Sequence, residues 1–444
     1  MLLGIDIGTT KIAAAVIDAA GRVHACVSRP HQADMQSPAG RSEQDPVALL
    51  AVARACVLEL PGDLRAAVRA VGVTGQMHGI VLLDAAGQPV SPLVTWQDQR
   101  CLEGDFLSRV AHCTGHVLRT GFGLATLAWL VEHGNVPPVA KSCATIGNLL
   151  AAHLCGLSRS MIDPTDAAAW GLFDLATMGW DGRAVESVGI DIRMLPDLTP
   201  CGAAAGDVTG KSAKQWRLPA GTPVAVGIGD NQASLLATLD DCEHQLALTI
   251  GTGAQVSAVM PKGFHPSRPA ADSPYEHRPY PGERLAIVAA SLSGGVAWAW
   301  LARTVLRWQQ DLGQPAIDGS AVYARLNELG AQADDGLLFE PLFAGERHAP
   351  TRRATISSID LDNFGLGSVA RALARGIVRN LKSMLPPEAF AERREVVGSG
   401  NALRRNSLLA QMVTEEFELP LRLRSDREEA AVGAALNAAG LSAT

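Results

Sequence analysis

IDIGTTKIAAAVI, from Ile5 to Ile17, and LTIGTGAQVSAVM, from Leu248 to Met260, are two versions of one pattern. Each starts with a short apolar run, turns on Ile-Gly-Thr and returns through a second apolar run, the signature of two strands joined by a tight turn. The triplets Ile7-Gly8-Thr9 and Ile250-Gly251-Thr252 stand 243 positions apart, about half the chain. A three-residue match alone carries little. The shared strand-turn-strand context points to duplication of a lobe, and two related lobes facing each other imply a cleft. The copies differ chemically, because Asp6 precedes the first turn and Thr249 the second, so only one half brings a carboxylate.

Outward from these turns the chain alternates strand and helix signals, as α/β layers do. LLGIDI, AVGVTG, PVAVGIG, LALTI and EVVGSG are short apolar runs ending at or just before glycine, hence candidate strands. Pro46 to Leu60, Ala402 to Phe417 and Glu428 to Leu441 carry apolar spacing compatible with helices. The uncharged run Leu285 to Ala302 is broken by Ser291, Ser293, Gly294 and Gly295 and is shorter than a membrane span of about 20 residues, so it reads as strand, turn and helix start. The expected division is 1–240 and 241–444.

Composition narrows the function classes. With 47% hydrophobic and 19% charged residues, the chain is globular rather than disordered. A net charge of −7 argues against a broad nucleic-acid surface and favours small-molecule partners. The eight cysteines are never closer than twelve positions, so no C-x-x-C zinc or redox spacing exists, and free thiols are expected. The amino terminus has Asp6 in its first apolar run and no basic leader, which gives no signal-peptide pattern and leads to a cytoplasmic expectation without membrane contact.

VGIGDNQASLLATL, Val226 to Leu239, places Asp230 where a buried strand turns into a helix. Its carboxylate could cap the helix or hold a charge at the strand end. The Gly-Thr turns would point backbone N–H groups and hydroxyls at one spot, an anion-binding concavity. Asp6 could then hold a hydrated Mg²⁺, which keeps much of its water and takes one or two protein carboxylates. A third turn, Gly398-Ser399-Gly400, follows a strand and opens a helix, letting backbone approach a flat or anionic ligand. AGDVTGKS, Ala205 to Ser212, ends like a P-loop, but Ala205 stands where that motif needs glycine and no clear helix follows.

Together these segments resemble the FGGY family of carbohydrate kinases, from Ile5 to about Gly433. The resemblance implies an α/β fold of two actin-like, ribonuclease H-like lobes with an interdomain cleft. GVTGQMHGIVLLD, Gly72 to Asp84, is similar to the sugar-binding turn of the xylulokinase branch, which implies substrate contacts at Gln76, Met77 and His78. LVTWQDQRC, Leu93 to Cys101, resembles the W-x-D-x-R segment and implies that Trp96 and Asp98 line the sugar pocket, the alternative for either being to stabilise the loop, with Arg100 structural. WQDxRC, LCGL, AAAWGLFD, GDNQASLLATL and AASLSGG look most like the sedoheptulokinase branch, with xylulokinase next.

The resemblance makes Asp230 the catalytic base and Asn231 an orienting group for a sugar hydroxyl. It assigns ATP to Gly8, Thr9 and Thr10, to Thr252 and Gly253, and to Gly295, Gly400, Asn401 and Asn406, with Asp6 serving Mg²⁺ through water. The implied reaction is ATP-dependent phosphorylation of a ketose at its terminal hydroxyl, sedoheptulose ahead of D-xylulose; a homodimer is compatible with it. One departure stands out: Lys11 follows Thr10 directly and Ala13 occupies the family's usual basic position, so either Lys11 substitutes from a shifted direction or that phosphate contact is missing. The competing readings are an actin-like ATPase without sugar chemistry and a sugar-binding regulator that has lost turnover.

Overall fold

The computed structural model describes residues 1–266, 273–315, 317–424 and 428–443. The chain opens with β1 (Leu2–Ile7), β2 (Lys11–Ile17), β3 (Val23–Pro30), α1 (Pro46–Glu59) and β4 (Ala70–Gly75). After several short elements come α2 (Ile146–Cys155), α3 (Pro164–Trp170), β5 (Ala204–Asp207), α4 (Gly210–Trp216), β6 (Pro223–Ala225), β7 (Ile228–Gly229) and α5 (Asp230–Thr238). A second series follows: β8 (Gln245–Ile250), β9 (Ala254–Val259), β10 (Tyr275–Tyr280), β11 (Arg284–Ser291), α6 (Gly295–Asp311) and α7 (Gly319–Gln332). It ends with α8 (Leu366–Met384), β12 (Glu395–Ser399), α9 (Asn401–Arg405), α10 (Ser407–Phe417), β13 (Leu421–Leu423) and α11 (Glu429–Asn437).

These elements build two compact units. The first holds Met1–Ala237, the short segment Pro279–Glu283 and α11; the second holds Thr238–Arg278 and the chain from Arg284 through β13. The first sheet runs β5-β6-β4-β1-β2-β3, with β7 also paired to β4, and the second runs β10-β11-β9-β8-β12-β13. In both, a first strand is antiparallel to its hairpin partner and parallel to a later strand: β1 with β2 and β4, β8 with β9 and β12. The repeated turns therefore sit at equivalent places of two sheets.

Alternation along β1 decides the layers of the first unit. Leu3, Ile5 and Ile7 join Leu49, Val57, Leu149 and Leu150 in a core under α1 and α2, whereas Leu2 packs with Ala431 and Ala435 of α11 on the other face. That second face is built for close approach. A Cβ on Gly4 would lie 1.8 Å from the Ala431 carbonyl oxygen, and one on Gly72 would lie 1.7 Å from that of Ala434. In the second unit Leu246, Leu248 and Ile250 pack with Trp298, Leu373, Ile377 and Leu409.

Four expectations are corrected. Pro223 to Gly229 is two short strands because the Gly227 N–H turns to Asn148 Oδ1 at 3.0 Å. Ala402 to Phe417 is divided at Asn406, whose Oδ1 caps α10 through the Leu409 N–H at 2.9 Å. The helix expected over Glu428 to Leu441 runs only from Glu429 to Asn437. The P-loop-like segment does open a helix, α4, capped by Thr209 Oγ1 on the Ser212 N–H at 3.1 Å.

Candidate active site

Register places the chemistry of the first unit. Ile7 of β1 pairs with Gly75 of β4, and Gly75 pairs with Gly229 of β7, all in parallel. Gly8, Gln76 and Asp230 therefore leave the sheet at one level, at the carboxyl ends of adjacent parallel strands, where open α/β sheets bind ligands. Asp230 is the first residue of α5 and half-buried. A carboxylate in the first helical turn gains from the positive end of the helix dipole, so the capping and catalytic readings of this residue do not compete.

The Gln76-Met77-His78 turn is clamped from two sides. Gln76 Nε2 donates to Gln44 Oε1 at 2.8 Å, and Gln44 Nε2 donates to the Thr9 carbonyl at 3.0 Å, tying Gln76 to the first Gly-Thr turn. Met77 is buried and packs so closely on Gly229 that a Cβ there would stand 2.7 Å from the methionine Cε. His78 takes a left-handed φ of 71°, a costly conformation for a non-glycine residue. Its ring stacks on Phe122 at 4.8 Å and its Nδ1 donates to the Ala169 carbonyl at 2.5 Å. Beneath it, fully buried Trp170 donates from Nε1 to the Gly79 carbonyl at 3.1 Å. The end of α3 thus supports Met77-His78-Gly79.

Trp96 and Asp98 have different fates. Trp96 is 40% exposed and its Nε1 donates to Thr9 Oγ1 at 2.9 Å, so the indole stands beside the first turn. Asp98 is fully buried and its oxygens are held by Arg100 Nε at 2.7 Å, Arg100 Nη2 at 2.9 Å and the Ser42 N–H at 2.8 Å. Burial alone would raise this carboxyl; Arg100 and the Ser42 and Arg100 N–H groups outweigh it and hold Asp98 below the usual carboxylate range. Asp98 and Arg100 thus form one buried ion pair, which Glu43 extends with 2.6 Å to Arg100 Nη2.

Asp6 is the unsatisfied group of the first turn. Its Oδ1 is closed to solvent and has no hydrogen-bond partner among the described residues. Burial, then repulsion from Asp230 and Glu428, pushes its pKa up to about 7, with Lys11 pulling the other way. Lys11 itself is gripped by both Glu428 oxygens, at 2.5 and 2.7 Å. An orphaned carboxylate oxygen beside a second carboxylate fits a cation. Among the described residues no group of three or more His, Cys, Asp or Glu is arranged to hold a metal, so a cation at Asp6 would draw most ligands from elsewhere.

A cavity of about 970 Å³ lies wholly within the second unit. It is lined by the β8–β9 turn at Gly251 and Thr252, the start of α6 at Gly295, Gly400 and Asn401 after β12, and Asn406 before α10. The turns meet backbone to backbone: the Gly295 N–H donates to the Gly251 carbonyl at 2.8 Å, and the Val296 N–H to that of Thr252 at 3.0 Å. Gly253 lies under this contact, for a Cβ on Gly294 would come within 2.2 Å of its oxygen. Gly400 has a φ of 92° and no room for a side chain, since a Cβ would sit 2.4 Å from the Ile250 oxygen. Asn406 is 3% exposed; its Oδ1 is spent on the α10 cap and its Nδ2 has no partner among the described residues. Gly8 and Thr9 are half-buried and Thr10 exposed, all in the turn of the first unit.

The FGGY family of carbohydrate kinases matches in both parts, its N-terminal domain over residues 1–237 and its C-terminal domain over residues 246–441. The chain belongs to this family. It is a carbohydrate kinase, and as such uses ATP as phosphoryl donor. Among relatives, the sedoheptulokinase of Mus musculus is 38% identical, covering 98% of this chain and 96% of its own. That of Homo sapiens is 37% identical over the same shares. The crystal structure of xylulose kinase from Rhodospirillum rubrum superposes on this FGGY kinase with a TM-score of 0.83, covering 99% of this chain and 90% of that one at 24% identity. The fold is therefore the two-unit, actin-like α/β architecture expected from the family resemblance. Among the described residues no helix is long and apolar enough to cross a membrane.

Four side chains of this FGGY kinase escaped sequence reasoning. Asp163 Oδ1 caps α3, accepting from the Thr165 N–H at 3.0 Å and the Asp166 N–H at 3.1 Å, and it takes Thr165 Oγ1 at 2.6 Å. Thr165 Oγ1 in turn accepts the Gly229 N–H at 2.8 Å. Asp166 Oδ2 accepts Asn148 Nδ2 at 3.0 Å, and Asn148 holds Gly227. This buried lattice fixes both glycines before Asp230. Burial raises Asp163 to about 6; burial with the charges of Asp163 and Asp230 raises Asp166 well above the ordinary value. The signal was present in DPTD, Asp163 to Asp166, an Asp-Pro helix start.

Proposed function

We propose that this kinase transfers the γ-phosphoryl group of ATP to the terminal hydroxyl of a ketose, sedoheptulose in preference to D-xylulose, with Asp230 as general base. The observation that carries the reading is the register Ile7–Gly75–Gly229, which brings Asp6, the Gln76-Met77-His78 turn and Asp230-Asn231 to one end of one sheet. Choice of sugar rests on the sedoheptulokinase relatives over nearly the whole chain. Xylulose kinases follow at 29% identity or less.

In the proposed reaction the Asp230 carboxylate takes the proton of the sugar hydroxyl as that oxygen bonds to the γ-phosphorus and the bond to the ADP oxygen breaks. General bases of this kind contribute about 10²–10⁴-fold, and positioning with charge neutralisation supplies much of the rest. Gln76 Oε1 and Asn231 Oδ1, both without partners among the described residues, suit the donors of further sugar hydroxyls. Trp96 offers an apolar face to sugar carbons. In the second unit Thr252, Gly295, Gly400, Asn401 and Asn406 would hold the nucleotide. Mg²⁺, held through water by Asp6, would neutralise phosphate charge when bound.

Steady-state kinetics of Asp230→Asn test the role of the base. ATP binding persists and ketose-dependent ADP release drops by about 10²-fold or more; turnover within a few-fold of the native enzyme would refute it.

A further inference from the structure

Away from the site just described, the first unit carries a second concavity of about 430 Å³. Its walls are α1, the Ala86–Pro89 turn, the last half of α2 and the helix α4 that follows the P-loop-like segment. The reason for the groove is visible on α1. Leu49, Ala53, Cys56 and Val57 face the core, while Val47, Leu50, Ala51 and Arg54, at helical spacing, form a second apolar stripe ending in a cation that faces the groove. Val47 remains 62% exposed.

The charge of this lining is one-sided. Arg54, Lys211 and His153 contribute to it and no Asp or Glu does. Several arginines of this acidic chain have carboxylate partners, Arg22, Arg29, Arg41, Arg109 and Arg193 among them. Neither Arg54 nor Lys211 has one among the described residues. The three groups line one concavity, and burial and then the charges of Lys211 and Arg54 hold the His153 imidazole below its usual range. Like charges gathered in a concavity are a cost unless an anion offsets them.

The floor of the groove is apolar and well packed. Trp216 lines the groove at 1% exposure, and its indole N–H has no acceptor among the described residues. A buried donor left unpaired costs about 1–3 kcal/mol. Gln88, Gln215 and the Thr209 and Ser212 hydroxyls add polar groups on the same walls. The composite is a cationic rim with hydrogen-bond donors above an apolar floor of Leu50, Leu149 and Trp216.

We propose that this groove is a second ligand site, separate from the ATP and sugar sites, that binds a small phosphorylated molecule through Arg54 and Lys211. The phosphate lies against the two cations and the remainder covers the apolar floor.

The test is calorimetric titration of inorganic phosphate into the full-length enzyme, with the nucleotide site saturated by a non-hydrolysable ATP analogue and Mg²⁺. One site is expected in the native protein. Arg54→Ala combined with Lys211→Ala weakens it at least tenfold, while Lys214→Ala, a cation on the same helix outside the lining, leaves it within twofold. Because none of these residues belongs to the catalytic machinery, kcat of each variant stays within twofold and verifies folding. Absence of phosphate binding in the native enzyme overturns the proposal, as does equal weakening by Lys214→Ala or undiminished binding in the double variant.

Discussion

The two Gly-Thr turns occupy the same place in two sheets, and the residue that precedes the turn gives them different chemistry. In the first unit Asp6 pairs across the sheet with Thr74; in the second Thr249 pairs with Ser399. The second pair satisfies itself, Thr249 Oγ1 lying 2.8 Å from Ser399 Oγ. In the first, Thr74 Oγ1 donates instead to the Ile228 carbonyl at 2.6 Å, which fixes β7 and hence Asp230, and Asp6 Oδ1 is left unpaired. A duplicated scaffold thus has one quiet half and one half that carries an uncomfortable carboxylate. Strain of this kind, retained where a neutral alternative exists in the same chain, marks the reacting side.

Replacing Asp6 breaks the comparison most severely. Asp6→Asn should lower kcat by about 10²-fold or more, as removal of a charge-organising group does, and steady-state assays across Mg²⁺ concentrations would register it. The same variant gains stability at high pH. With a folded pKa of about 7 against an ordinary 3.8, the native state binds this proton more tightly, so native stability falls as pH rises from about 4 to 7 and is level outside that window. One pKa unit is worth about 1.4 kcal/mol, so the loss is of the order of 2–4 kcal/mol after solvent screening. Urea denaturation in EDTA between pH 4 and 8 should show Asp6→Asn missing that decline; parallel curves would remove the account of the turn.

The nucleotide side is gentler. Asn406→Asp keeps the cap on α10 but loses the unpaired Nδ2 donor, so the KM for ATP should rise about tenfold with kcat within twofold. An unchanged KM would take Asn406 out of the pocket. Smallest of all is Thr249→Val, which removes the hydroxyl pair with Ser399. Stability drops by about 1 kcal/mol and kcat stays within twofold, because the quiet turn needs no ionisable group there. A large kcat loss would mean that the two turns share the chemistry.

Much of this was legible in the sequence because it depends on local chain geometry. Strand ends, glycine turns and the repeat gave the two sheets and placed Asp6, Asp230 and the Gly251, Gly295 and Gly400 backbones. What escaped depends on contacts between distant residues. Asp98 accepts the Ser42 N–H from 56 positions away, and its partner Arg100 reaches Glu43 across 57. The break at Gly227 and the support of Gly229 come from Asn148 and Thr165, which lie 79 and 64 positions away. Lys11 shows the same limit, since its partner Glu428 is 417 positions off. α4 was missed because its seven residues are too short for periodicity.

The claim that this chain phosphorylates a ketose is tested most directly by the native enzyme with ATP, Mg²⁺ and a panel of ketoses, following ADP release and the ³¹P spectrum of the product. The account predicts a phosphomonoester on the terminal hydroxyl of sedoheptulose and a higher kcat/KM for sedoheptulose than for xylulose. ATP turnover indifferent to every ketose would contradict it, and a preference for xylulose would keep the kinase but overturn its sugar.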